Sequence, residues 1–204
     1  MSKSLLVEYT PFNLTPQLIN ESIAKNNGIL MVEGVIQRAG AKNHNGRVYP
    51  KDILEAEVKK YIEGPIVERR AYGELDHSNE SIINLKNVCL NIQKLWWEND
   101  DLMGKIEILT TPSGNIVKEL FKCGGTVGIS SRALGSVRQL DENTVEVQDD
   151  LELICWDIVS SPSTHGAFVT PINEGASRLP HGKYEKVNSI LRDIICLNTN
   201  VCSL

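Results

Sequence analysis

Two adjacent hydroxyls, Ser130 and Ser131, close a short apolar run in the stretch CGGTVGISSRALGS, between paired glycines and an arginine. Upstream, GELDHS carries His77; downstream, LELICWDIV carries Asp157. A serine, a histidine and an acid are the parts of nucleophilic acyl chemistry. The imidazole takes the hydroxyl proton as the oxygen attacks, and the acid fixes the tautomer of the ring. Strand alternation separates the two serines. If residues 126–131 are extended, Val127, Ile129 and Ser131 share an apolar face, while Thr126, Gly128 and Ser130 share one stripped of bulk. Ser130 is therefore the expected nucleophile and Ser131 the second choice. The structural alternative is that the glycines and serines only fill a tight crossing of strands.

Asp157 is the next unusual residue. Alternation over 151–159 puts it in a row with Leu151, Leu153, Cys155 and Val159, where an ionised carboxylate is costly unless a donor meets it. A histidine Nδ1–H is one such donor; an arginine, Arg132 or Arg138, is the other. His77 follows the acids Glu74 and Asp76. Those three side chains also suit a hard metal ion, but no second histidine stands at ligand spacing, and none is expected to be bound. His165 is the alternative third member beside Asp157. For the oxyanion, the backbone around Ser131 and Arg132, or the Arg132 guanidinium acting through a water, is the expected donor set.

The elements that must position these groups are short. Residues 28–40 read as a strand, Asn45-Gly46 as a tight turn, and the segment from Pro50 to Gly64 as a helix with Ile53, Leu54, Val58, Tyr61 and Ile62 on one face. Residues 82–109 suit a hairpin about Glu98–Asp101. A second helix is expected over 114–122, capped by Ser113 and stopped by Gly124-Gly125. Strands at 144–147 and 151–159 follow that of Ser130. After Pro171 the sequence turns small and polar, then amphipathic through Val187, Ile190, Leu191, Ile194 and Ile195. The pattern predicts α+β, with a mostly antiparallel sheet or barrel. Domain boundaries are expected at 1–172 for the globular part and 173–204 for a linker and terminal helix.

Composition narrows the class. The 204 residues are 41% hydrophobic and 23% charged, with a formal net charge of −5 and no basic block, so a nucleic-acid groove is not expected. Five scattered cysteines without a CxxC pair argue against a disulfide framework and for a reducing compartment. No apolar run reaches the roughly 18 residues of a membrane span, and the first residues lack the apolar core of a signal peptide.

In this order, the blocks VEGVIQRAGAKNHNGRVYPKDILEAEVKKYI, GELDHS, the pair Trp96-Trp97, VGISSRALGS and WDIVSSPS…FVTP resemble the prohead core proteases of T-even-type tailed phages. That family is related to the herpesvirus assemblins. The resemblance, from about Gly28 to Pro171, implies a small, mostly antiparallel β-barrel surrounded by a few helices. It also implies a serine endopeptidase without cofactor that cuts scaffold, core and capsid proteins inside the immature prohead in the host cytoplasm. Carried over by motif, it makes Ser130 the nucleophile, His77 the base and Asp157 the acid; assemblins use a second histidine as third member. It leaves homo-oligomerisation open. It further implies cleavage after glutamate with an aliphatic residue two positions earlier. Leu6-Val7-Glu8 and Ile172-Asn173-Glu174 fit that rule in sequence read as flexible, so self-processing after Glu174 and Glu8 is expected. The competing class is a non-catalytic virion scaffold or β-barrel protein, which would have no need for a serine, histidine and acid together.

Overall fold

A computed structural model of the chain describes residues 4–12, 16–78, 80–125, 127–160 and 169–171. The chain divides into two units, Met1–Asn173 and Glu174–Leu204. The second unit lies outside the described residues, and with it the terminal helix expected at 187–195 and Glu174. His165 also lies outside them.

Hydrophobic alternation produces the first unit's framework. β2 (Leu30–Arg38), β5 (Val88–Glu98) and β6 (Asp101–Ile108) pair antiparallel in the order β2-β6-β5. The β5–β6 hairpin turns at Asn99, whose φ of 56° is one that asparagine tolerates better than most residues. β11 (Val169–Pro171) and β4 (Tyr72–Glu74) flank this sheet. A second sheet has the order β1 (Ser4–Phe12), β7 (Val127–Gly135), β10 (Glu152–Val159). A third, small sheet joins β3 (Arg47–Val48), β9 (Thr144–Val147) and β8 (Val137–Asp141).

A parallel bridge from Leu75 to Ile158 links the end of β4 to β10. Backbone pairing thus runs continuously from β1 through β7, β10, β4, β5, β6 and β2 to β11. The pairing that would close this ladder into the expected barrel is not among the described residues. The architecture is mixed, mostly strands with three helices, and one apolar cluster fills its interior.

The helices pack on this framework. α2 (Lys51–Tyr61) starts after Pro50, whose fixed φ suits a helix entry, and buries Leu54, Val58 and Tyr61 at helical spacing. A π-helical turn over Ile62–Ile66, containing Pro65, follows it directly. α3 (Pro112–Lys122) is capped by Thr111, not Ser113: Gly114 N–H donates to Thr111 Oγ1 at 3.1 Å, and Pro112 takes the first turn, where a missing N–H costs nothing. α1 (Pro16–Lys25) was not expected from the sequence. Nor was β1, in sequence read as flexible; it pairs with β7 along its whole length.

Candidate active site

β7 carries both serines, and its two faces differ. Val127, Ile129 and Ala133 belong to the apolar core on the face that Ser131 shares. Gly128, Ser130 and Arg132 lie on the other face. Ser130 stands directly across from Asp157 of β10, and Arg132 across from Cys155. Ser130, Arg132, Cys155 and Asp157 therefore form one buried polar patch. All four are at most 1% exposed.

The sequence had put Leu153 in the same row as Asp157. It is not there, because β10 bulges between Leu153 and Cys155, and Leu153 comes to face Ala133 instead. One extra residue reverses the alternation. The bulge is held by Glu57 of α2, whose Oε2 accepts the Leu153 N–H at 3.1 Å. Leu153 thereby leaves the row of Asp157, which keeps Cys155 and Val159 on β10 and meets Ser130 and Arg132 on β7.

The GELDH segment delivers His77 to this patch, and each of its residues has a local reason. Gly73 lets β4 approach β10: a Cβ there would sit 1.9 Å from the Trp156 carbonyl oxygen. Glu74 N–H donates to Asp157 Oδ1 at 2.8 Å. Leu75 bridges to Ile158, and Asp76 N–H donates to the Ile158 carbonyl at 2.7 Å. Asp76 adopts φ 64°, a left-handed conformation that aspartate tolerates better than most residues, and the chain turns there. The next residue, His77, brings Nδ1 to 2.9 Å from Asp157 Oδ2. An ionised carboxylate only accepts, so this contact assigns the proton to Nδ1 and leaves Nε2 with its lone pair.

The structure places His77 against Asp157, which faces Ser130 across β7 and β10. Among the described residues, His77 Nε2 and Ser130 Oγ are both buried and have no hydrogen-bond partner, including each other. Neither reactive atom is committed to another group. Ser131 Oγ is also without a partner, but it lies on the core face.

Two expected oxyanion donors are engaged elsewhere. Arg132 Nη2 binds Glu74 Oε1 at 2.7 Å and Asp157 Oδ1 at 3.3 Å. Nη1 donates to the Glu80 carbonyl at 2.8 Å. Nε lies 2.9 Å from Asp157 Oδ2, an ion-pair contact too bent for a hydrogen bond. The guanidinium is fully buried, and both of its Nη groups are engaged within the protein. The Ser131 backbone is committed as well. Ile158 directs its carbonyl toward β4, so Asp157 directs its polar groups toward β7 and meets Ser130 as a hydrogen-bonded pair. Ser131 N–H then points the other way, to Glu8 of β1.

Sequence reasoning missed Glu74 as a member of the patch. The sequence offers it as an acid neighbour of His77 or a metal ligand, whereas the structure buries it fully against Arg132. Among the described residues no group of three or more His, Cys, Asp or Glu side chains is arranged to hold a metal ion. The neighbouring ionisable groups are held uncharged. Burial pushes the Cys155 thiol well above its ordinary range, with the Asp157 charge adding to the effect. Burial raises Cys89 and Tyr61 in the same way, helped by Asp157 in both cases. For Arg132, burial opposes the charge, but its contacts with Cys155 and with the Asp157 and Glu74 carboxylates outweigh it and hold the guanidinium charged.

Comparison with known proteins gives the family. A profile of the family described as prohead core protein serine protease matches residues 16–177. The prohead core protein protease of Enterobacteria phage T4 is 32% identical over 145 residues, covering 70% of this chain and 68% of the phage protein. The solved structure of the bacteriophage T4 capsid assembly protease, gp21, matches with a TM-score of 0.68 and 24% identity, over 78% of this chain and 99% of that one; at that identity it bears on the fold alone. The chain belongs to the prohead core protein serine protease family.

Proposed function

We propose that this chain is a serine endopeptidase that cleaves scaffold, core and capsid proteins inside a phage prohead during head maturation. Ser130 is the nucleophile, His77 the general base and Asp157 the residue that orients the ring. The observation that carries this reading is the 2.9 Å contact of His77 Nδ1 with an Asp157 that faces Ser130 across β7 and β10. Family membership supplies the reaction class and, through the names of the relatives, the kind of substrate.

The chemistry follows from the tautomer. Nε2 takes the Ser130 proton as Oγ attacks the scissile carbonyl, and the imidazolium is stabilised by Asp157. Breakdown of the tetrahedral intermediate returns that proton to the leaving amine and leaves an ester on Ser130. Water, activated by the same nitrogen, then hydrolyses the ester.

Cleavage after glutamate, with an aliphatic residue two positions before, is the proposed preference, and Glu174 is the proposed site of self-processing. Glu8 is a poorer candidate than its sequence suggested. It lies within β1, where the backbone is paired with Ser131, and a bond held in a ladder must leave it to enter a cleft.

The test is a pair of variants. Ser130→Ala should abolish hydrolysis of a peptide with glutamate at the cut, and Ser131→Ala should keep most of it. A serine-directed fluorophosphonate should inactivate the wild type, and a chelator should not. Activity in Ser130→Ala equal to the wild type, or sensitivity to the chelator alone, would overturn the reading.

A further inference from the structure

The catalytic reading uses one buried carboxylate, yet the patch contains two. Glu74 is fully buried, as are Arg132 and Asp157. Its Oε1 accepts from Arg132 Nη2 at 2.7 Å and from Asn84 N–H at 3.0 Å, while its own N–H donates to Asp157 Oδ1 at 2.8 Å. A charge in such a place costs several kcal/mol unless it is compensated, and proton abstraction by His77 makes no direct use of it.

The charges around His77 can be surveyed element by element among the described residues. Its own loop carries Asp76, Glu80 and Lys86, all three exposed; β4 carries Glu74, β5 Cys89, β7 Arg132, β10 Cys155 and Asp157, and α2 Tyr61. The thiols and the phenol are held neutral by burial. Within the buried patch that leaves two carboxylates and one guanidinium, hence one negative charge in excess when the imidazole is neutral. Without Glu74, Arg132 and Asp157 would cancel, and an imidazolium would be the uncompensated charge.

We propose that Glu74 is a positioning residue that sets the charge of the site: by occupying Arg132 it leaves Asp157 with a net negative charge for the protonated His77 to cancel. The imidazolium formed as Ser130 attacks is then matched by the protein, where a plain Arg132–Asp157 pair would oppose it. The same contacts fix the loop after His77, because Arg132 Nη1 holds the Glu80 carbonyl and Glu74 holds the Asn84 amide. This inference rests on the His77, Ser130 and Asp157 reading.

The experiment is a titration of the His77 imidazole by ¹⁵N NMR in the full chain carrying Ser130→Ala, alongside the pH profile of fluorophosphonate labelling in chains that retain Ser130. Glu74→Gln keeps the shape and an acceptor but removes the charge. It should move both the midpoint of the imidazole titration and the acid limb of labelling to lower pH by about one unit. Glu74→Asp restores the charge and should bring both back toward the wild type, even if labelling is slower. Arg132→Gln should move them the opposite way. Each variant that folds decides the matter by the sign of its shift. A midpoint in Glu74→Gln within about 0.2 units of the wild type, or a Glu74→Asp shift as large as that of Glu74→Gln, overturns the proposal. A loss of thermal stability without movement of the limb would make Glu74 a structural residue and also overturn it. Labelling of Ser130→Ala at the wild-type rate would instead sink the catalytic reading beneath it.

Discussion

Among the described residues Asp157 accepts from four sources: the Glu74 amide, the Arg132 guanidinium, the Cys155 thiol and the His77 ring. These contacts separate its proposed catalytic part from its structural one. Asp157→Asn would leave Arg132 its Glu74 partner, so thermal unfolding should shift by only a few degrees. The tautomer control would be lost, and kcat should fall by about three to four orders of magnitude, as in well-studied triads. Arg132→Met is the reverse case. It strands two buried carboxylates and should cost about 3–5 kcal/mol in urea unfolding. The pH dependence should follow the base: as pH drops, protonation removes the Nε2 lone pair, and hydrolysis should fade toward acid pH. A rate that is flat from about pH 5 to about pH 8 would exclude His77 as the base. At this scale the sequence was informative where composition betrayed cost. A carboxylate among apolar residues must meet a donor, so Asp157 could be singled out and linked to His77 or Arg132; the structure gives it both. Arg132 was misassigned as an oxyanion donor because the direction of a long side chain is not written in its neighbours, and Glu74 was missed because nothing local marks it as buried.

Elements were legible where the pattern was local. The β5–β6 hairpin and α2 follow from alternation, helical spacing and Pro50. The three residues of β4 were not legible, since so short a strand has no periodicity and exists because β5 and β10 receive it. The bulge in β10 was also hidden: it is a property of pairing with β7 and of the Glu57 carboxylate on α2, far away in sequence. Both features bear on the proposed site, because β4 leads into His77 and the bulge lies two residues before Asp157. Gly73→Ala tests the first. Its new Cβ would collide with the Trp156 carbonyl, a backbone atom that cannot rotate away. The expected result is that β4 separates from β10, the His77–Asp157 contact opens, and hydrolysis is lost at temperatures where circular dichroism still reports a folded protein. Wild-type kinetics in Gly73→Ala would mean that β4 does not hold the histidine.

For the whole molecule, what mattered was which strands meet, and that was the least legible of all. The sequence predicts a mostly antiparallel α+β chain but gives no order for its strands, because pairing partners far apart leave no periodic mark on each other. β1 shows the consequence. Its residues read as flexible sequence, yet Ser4–Phe12 lies along the edge of the strand that carries Ser130. The register there makes a backbone prediction. Ile158 faces β4, so Ser130 faces β10, and Ser131 must exchange its hydrogen bonds with Glu8 while Tyr9 N–H points away from β7. Proline removes an N–H without choosing a side, so its effect depends on where that N–H points. Relative to Glu8→Ala, Glu8→Pro should cost about 1–3 kcal/mol, a drop of several degrees in Tm. Relative to Tyr9→Ala, Tyr9→Pro should cost much less. Because Glu8 lies across from the residue beside the proposed nucleophile, the damage from Glu8→Pro should reach the site, and fluorophosphonate labelling of Ser130 should change with it. If the two prolines are equally damaging, or Tyr9→Pro is the worse, the strand is paired one residue out of the stated register, and Ser131 N–H is not the group that β1 holds.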